Sequence, residues 1–166
     1  MLVQSLLAEL KFEAGNTVKL FNAIPDDVLD YKPTDFNWSI AELAAHTAGV
    51  YDWWAATLNE NVLDLATWTY DPGDISTMES IKAKLAENIA NAEAALTDYP
   101  EEKLFENWSM VNGEAQLMPP MPRIQVVRSF LMNHLYHHRG EIVALLRVNG
   151  KPVPGLYGPS YEEMNS

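Results

Sequence analysis

The stretch LMNHLYHHRGEIVALLR, residues 131–147, contains three of the four histidines in a chain of 166 residues. Apolar residues surround these histidines in steps of three and four, which is the spacing of one face of an α-helix. The predicted buried stripe runs through Val127, Leu131, His134, His138, Ile142 and Leu145. His134 and His138 therefore stand where a packed helix normally carries two apolar core residues.

The spacing of His134 and His138 is typical of a metal site. Residues four apart lie one turn from each other, about 6 Å along the helix axis, so both rings can reach one atom between two helices. The alternative is an ordinary pair of buried histidines, each hydrogen-bonded to nearby carboxylates or carbonyls. That alternative is costly for two adjacent rings, because an unpaired buried polar group costs about 1–3 kcal/mol and the rings compete for the same partners.

A divalent metal removes that cost when the imidazoles are neutral. His46 is the predicted third ligand, since it lies on or beside the apolar face of an earlier helix. Three imidazoles suit Zn²⁺, Ni²⁺, Fe²⁺ or Co²⁺ and leave a coordination position open, which indicates chemistry rather than scaffolding. His137 lies off the stripe. The motif also lacks the glutamate of an H-E-x-x-H metalloprotease, so it argues against proteolysis.

Four helices are predicted, and two of them begin at recognisable caps. Ser39 and Glu42 form a capping box at the start of helix 2, and Ser76 and Glu79 offer a second box before helix 3. The other predicted bounds are residues 2–23 for helix 1, 77–97 for helix 3 and 123–148 for helix 4. The sequence thus predicts an all-α protein, a four-helix bundle of one domain over residues 1–166.

The predicted connections are long. Residues 60–75 are predicted to be a loop, and the tail from Val153 is predicted to be ordered coil. Between helices 3 and 4, Asn112-Gly113 lies between partly alternating arms, which indicates a small β-hairpin.

The composition excludes several classes of function. With 23 acidic and 11 basic residues the formal net charge is −12, so we expect no nucleic-acid partner. There is no cysteine, so any thiol chemistry needs a thiol from outside the protein. Glu9 and Lys11 interrupt the apolar start, and no apolar run approaches membrane-spanning length. We therefore expect a cytoplasmic protein with no membrane partner.

Three segments together resemble the DinB-like family of metal-binding four-helix proteins, which is related to YfiT-like and thiol-dependent S-transferase bundles. They are NWSIAELAAHTAGV, MNHLYHHRGEIVALLRVNG and VPGLYGPS. The resemblance implies an up-down-down-up bundle, a homodimer, and a divalent metal held by His46, His134 and His138. Relatives often have Gln at the position of Glu141, which is either an acceptor behind a metal ligand or a surface charge.

The resemblance and the residues together suggest two functions. The first is a divalent-metal enzyme, with zinc or nickel, that acts on small molecules as a hydrolase or as an S-transferase using bacillithiol, mycothiol or glutathione. The sequence does not select among these thiols. The second is a non-catalytic metal-binding stress-response protein. Trp53, Trp54, Trp108 and Tyr136 are candidate pocket residues or simply core.

Overall fold

A computed structural model describes residues 1–165 of the chain, which are mostly helical with a small three-stranded sheet. The helices are α1 (Leu2–Phe21), α2 (Ile40–Asn59), α3 (Met78–Leu96), α4 (Arg123–Val126), α5 (Asn133–Val148) and α6 (Tyr161–Asn165). The strands are β1 (Val62–Asp64), β2 (Asn107–Asn112) and β3 (Ala115–Pro122). A π-helical segment, Val127–Met132, joins α4 to α5, so the predicted helix 4 is one rod with a wider turn inside it.

Helices α1, α2, α3 and the rod bury apolar residues in one core. Its fully buried members include Leu10, Phe21, Trp54, Leu85, Leu131, Leu135, Ile142 and Leu146. On α5 the fully buried residue of the last turn is Leu146, whereas Leu145, which the predicted stripe contained, is only partly buried. His134 and His138 consequently lie toward one side of the buried face, where α5 approaches α2.

The capping box of α2 is as predicted, whereas α3 begins within one residue of its predicted start but has a different cap. The Glu42 amide donates to the Ser39 hydroxyl at 3.1 Å, and the Ser39 amide donates to the Glu42 carboxylate at 2.7 Å. The box predicted from Ser76 to Glu79 is wrong. Thr77 caps α3 instead by accepting from the Ser80 amide, because the Ser76 amide donates to the Asp74 carboxylate in the preceding turn.

The hairpin between α3 and α4 is confirmed, but its turn lies one residue later than predicted. Asn112 pairs with Ala115, so the two loop residues are Gly113 and Glu114, and Gly113 has a φ of 60° that favours glycine. The loop predicted at residues 60–75 also contains β1, which pairs in parallel with β2. The strand was not predicted because its pairing partner is distant in the chain and three residues are too few to show a strand pattern.

Arg123 fastens the start of the rod to the end of α2. Its buried guanidinium donates to the carbonyl oxygens of Thr57 at 3.0 Å and Glu60 at 2.9 Å, and to the Asn61 side chain at 2.6 Å. The last carbonyls of a helix have no partner within it and carry partial negative charge, so an arginine is well suited to this position. This contact fixes α2 relative to the rod.

The tail is only partly coil. Residues 161–165 form the short helix α6, started by a reciprocal box in which the Glu163 amide donates to Ser160 and the Ser160 amide donates to Glu163. The predicted coil missed this helix because it is a single turn. Ser166 lies outside the described residues. Among residues 1–165, no helix combines the length and apolar character that crossing a membrane requires.

A buried ion pair ties α1 to α5. The Arg139 guanidinium donates to the Glu13 carboxylate and, at 2.9 Å, to the Glu13 carbonyl oxygen. The side chains of Arg139 and Glu13 are only 1% and 6% exposed. The Tyr157 hydroxyl donates to the same carboxylate at 2.6 Å, and burial raises the pKa of that hydroxyl. Tyr157 thereby holds the tail against the bundle.

We expect Glu13→Ala to lower the free energy of unfolding by about 3–5 kcal/mol, because it leaves a buried arginine without its counter-ion. Urea denaturation followed by circular dichroism measures the change. The double variant Glu13→Leu/Arg139→Met should lose less than the single variant, since it leaves no unpaired charge. Glu162→Ala, which removes an exposed partner of Arg147, is the surface control. A loss for Glu13→Ala no larger than for this control would contradict the expectation.

Candidate metal centre

The three histidines singled out in the sequence meet between α2 and α5. His46, His134 and His138 each offer one ring nitrogen, and these three atoms lie within 4.8 Å of one another. The ring centroids are 5.0 Å apart for His46 and His134, 4.7 Å for His46 and His138, and 4.5 Å for His134 and His138. His46 and His134 are half-buried, and His138 is 8% exposed. The predicted convergence of rings from two helices is therefore what the structure has.

The environment keeps two of these rings neutral. Burial, together with the nearby His138 ring, lowers the pKa of His46 to about 4. Burial and the other two histidines, His138 before His46, lower the pKa of His134 to about 4 as well. A neutral imidazole has a free lone pair, which is the form that binds a metal.

Glu141 fixes the orientation of His138. The Glu141 carboxylate lies 2.6 Å from Nδ1 of His138, and His138 precedes Glu141 by three residues on the same helix. Since an ionised carboxylate can only accept, the ring carries a proton on Nδ1 and turns its Nε2 toward the other histidines. Of the two roles that the sequence left open for Glu141, this contact favours the acceptor. His137 is exposed and lies outside the three-histidine group, with Nε2 3.4 Å from the other oxygen of Glu141.

The hydrogen bonds within residues 1–165 do not satisfy all the ring nitrogens. His46 Nε2 and His134 Nε2 lie 3.1 Å apart, which permits one hydrogen bond between them. His138 Nε2 and His134 Nδ1 are buried and have no partner within the described part of the chain. Ordinary buried histidines would be paired. The separation of the two Nε2 atoms is close to the roughly 3.3 Å between two ligands of a tetrahedral metal with bonds of about 2.0–2.1 Å.

Aromatic side chains close the site on two sides. The Trp38 ring lies 4.6 Å from that of His46. On the other side Phe130 stacks on Trp53 at 5.4 Å and lies 5.2 Å from His134. Phe130 was missed in the sequence, although it precedes His134 by four residues and so shares its helix face.

The other candidate pocket residues do not belong to the site. Trp54 and Trp108 are 0% and 1% exposed and pack in the core and beneath the sheet. Tyr136 lies against Tyr157 and Arg139. Of the four aromatic residues named from the sequence, Trp53 is the one that contacts the histidines.

Comparisons with known proteins agree on the family. The sequence model of the DinB family matches residues 1–166. The uncharacterized protein YrdA of Bacillus subtilis (strain 168) is 31% identical over 159 residues, which is 95% of this chain and 89% of that protein. A crystal structure of a DinB-like protein from Bacillus cereus ATCC 10987 is similar with a TM-score of 0.73 at 20% identity, covering 93% of this chain and 97% of that one. The DinB-like protein YjoA from Bacillus subtilis has a TM-score of 0.70 at 18% identity, covering 92% and 96%. The chain belongs to the DinB family.

Proposed function

We propose that this protein binds a divalent transition metal, zinc or nickel, through His46, His134 and His138. The observation that carries the proposal is the buried, unpartnered Nε2 of His138, held by Glu141 beside two further ring nitrogens. Nitrogen ligands of this kind favour zinc and nickel over magnesium and calcium, which prefer oxygen.

We further propose that the metal serves an enzyme that acts on small molecules, as an S-transferase or a hydrolase. A bound divalent metal supplies Lewis acidity toward a water molecule or a thiol. The protein's part is to hold the imidazoles in place, with Glu141 keeping the proton on His138 Nδ1. Trp53 and Phe130 cover one side of the histidines and limit the access of water.

Two features of the proposal rest on the family resemblance. They are the up-down-down-up order of the bundle and the homodimer. The single domain, the cytoplasmic location and the lack of nucleic-acid or membrane partners are proposed instead from the length, the charge and the apolar pattern of the sequence, and the substrate is proposed to be a small molecule. Because the chain has no cysteine, a thiol substrate would come from solution, with bacillithiol, mycothiol and glutathione as the candidates.

The second candidate is a metal-binding stress-response protein without turnover. It is favoured by the position of the histidines, one on α2 and two on α5, where a bound ion would link two helices. An ion in that position would stabilise the folded chain even if no substrate reached it.

We expect His46→Ala and His134→Ala each to abolish stoichiometric binding of zinc or nickel, because each variant keeps only two of the three imidazole ligands. Competition with a chromophoric chelator and elemental analysis measure affinity and stoichiometry. Glu141→Gln should weaken binding by about 10–100-fold, as loss of an outer hydrogen-bond partner does. His137 belongs to a second, more exposed group that could hold an ion, with His138 and Glu141. His137→Ala therefore tests which group binds the metal, and it should leave the affinity unchanged if the three-histidine group is the site. A His134→Ala protein that still binds one metal ion as tightly as wild type would refute the site.

The pH dependence of the metal-free protein should report the neutral histidines. His46 and His134 titrate with pKa values of about 4 in the folded chain, against about 6.5 in an unfolded one. Between these values the unfolded state binds more protons, so the free energy of unfolding should fall as the pH drops from 6.5 to 4. Urea denaturation at a series of pH values measures this. The double variant His46→Asn/His134→Asn should show a shallower fall, and equal slopes would count against buried neutral rings.

Thiol consumption in the presence of a panel of electrophiles distinguishes the enzyme from the non-catalytic protein. With zinc or nickel bound, wild type should consume at least one of the three thiols or hydrolyse a small ester faster than His134→Ala. This follows because the variant lacks one of the three ligands. Equal background rates in both proteins, together with a lower melting temperature of the metal-loaded wild type after chelation, would favour the structural role.

A further inference from the structure

A cavity of about 390 Å³ opens beside the three histidines. One wall comes from the connection before α2, with Phe36 and Trp38, and another from α5, with His138, Glu141 and Leu145. Leu43, from the first turn of α2, lies between them. The volume falls within the range of small-molecule sites, about 300–1,000 Å³. Since His138 lines both the cavity and the candidate metal centre, a ligand here would lie next to the metal.

Large aromatic side chains are left open to solvent at this cavity. Phe36 is 100% exposed and Trp38 is 48% exposed. Trp38 is nevertheless held in place, because its ring lies 4.6 Å from His46 and 6.0 Å from His138. An apolar ligand in the cavity would cover both aromatic residues, and removing their apolar surface from water favours binding.

The charge of the cavity is negative. Glu141 is the acidic residue in the lining, and within the described chain none of the lining residues is lysine or arginine. One oxygen of Glu141 receives the hydrogen bond from His138, and the other lies 3.4 Å from His137 Nε2, while the side chain as a whole remains 44% exposed. The chain as a whole carries a formal charge of −12. A carboxylate beside an indole face is a combination that attracts organic cations.

We propose that this cavity binds small organic cations with an apolar body, such as arylalkyl amines and quaternary ammonium compounds, as the substrate class of the site. The inference rests on the proposed function, since it takes the cavity beside the histidines as the place where substrate binds. The apolar body packs against Trp38, Leu43 and Leu145, and the cationic group faces Glu141. Anionic groups find no basic side chain among the described residues that line the cavity, so a thiolate of the proposed reaction would be held by the metal and not by this cavity.

Three benzene derivatives of similar size test the charge preference. They are benzyltrimethylammonium, benzyl alcohol and benzenesulfonate, and neither charged compound is a strong metal ligand. Binding is measured by isothermal titration calorimetry at about pH 8, where an ordinary imidazole is uncharged, with and without zinc. We expect benzyltrimethylammonium to bind at least about tenfold more tightly than benzenesulfonate in the zinc-free protein, with benzyl alcohol between them. Bound zinc adds positive charge beside the cavity, so the preference for the cation should shrink in the zinc-loaded protein.

Two variants locate the effect. Glu141→Gln keeps the shape of the side chain and removes its charge, so the preference for the cation should shrink to less than about threefold while benzyl alcohol binds as before. Trp38→Leu should weaken the binding of both benzyltrimethylammonium and benzyl alcohol. Glu87→Gln, on α3, is the matched control and should leave the preference intact.

Equal or tighter binding of benzenesulfonate by the zinc-free wild-type protein would overturn the inference. So would a preference for the cation that survives in Glu141→Gln, since attraction would then come from the overall charge of −12. Because the measurement is also made without zinc, it separates this inference from the proposed metal site. Cation binding by a protein that takes up no metal would support the cavity proposal and contradict the proposed metal site. Metal binding by a protein that shows no preference for the cation would support the metal site and contradict the cavity proposal.

Discussion

The site depends on one constraint: two helical segments must pack closely while three imidazoles lie between them. Arg123 holds the start of the rod against the end of α2, and the Glu13–Arg139 pair holds α5 against α1. Between these two anchors His134 Nδ1 and His138 Nε2 are left without a hydrogen-bond partner among residues 1–165. Burial then makes the charged form of His46 and His134 unfavourable, so the packing that stabilises the bundle also prepares neutral ligands.

The parts of the fold that were predictable from sequence are those with strong local periodicity. The bounds of α1, α2 and α3 follow from apolar spacing, and Ser39 with Glu42 marks the start of α2. The convergence of His46 with the pair on α5 also followed from stripe positions. Strand β1 did not, because three residues carry little pattern and their partner is in β2, more than forty positions later.

Other features depend on tertiary geometry that spacing does not encode. Thr77 caps α3 because Asp74 takes the amide of Ser76, a competition between two equally plausible turns. The contribution of residues 33–38 to the cavity arises because this irregular connection lies beside α5. Glu141 had two readings in the sequence, and its distance of 2.6 Å from His138 is what separates them.

The π-helical segment just before the histidines has a consequence for how the site can diverge. A π turn holds about one residue more than an α turn. The side chains after the π-helical segment are therefore rotated about the helix axis by close to 100° relative to those of an uninterrupted α-helix. The α4 end of the rod contacts the sheet and the end of α2. The α5 end carries His134 and His138 and faces His46. Gain or loss of a single residue between Val127 and Met132 would rotate the side chains of α5 about the helix axis relative to those of α4. Such a change would reshape access to the histidines without exchanging any of them.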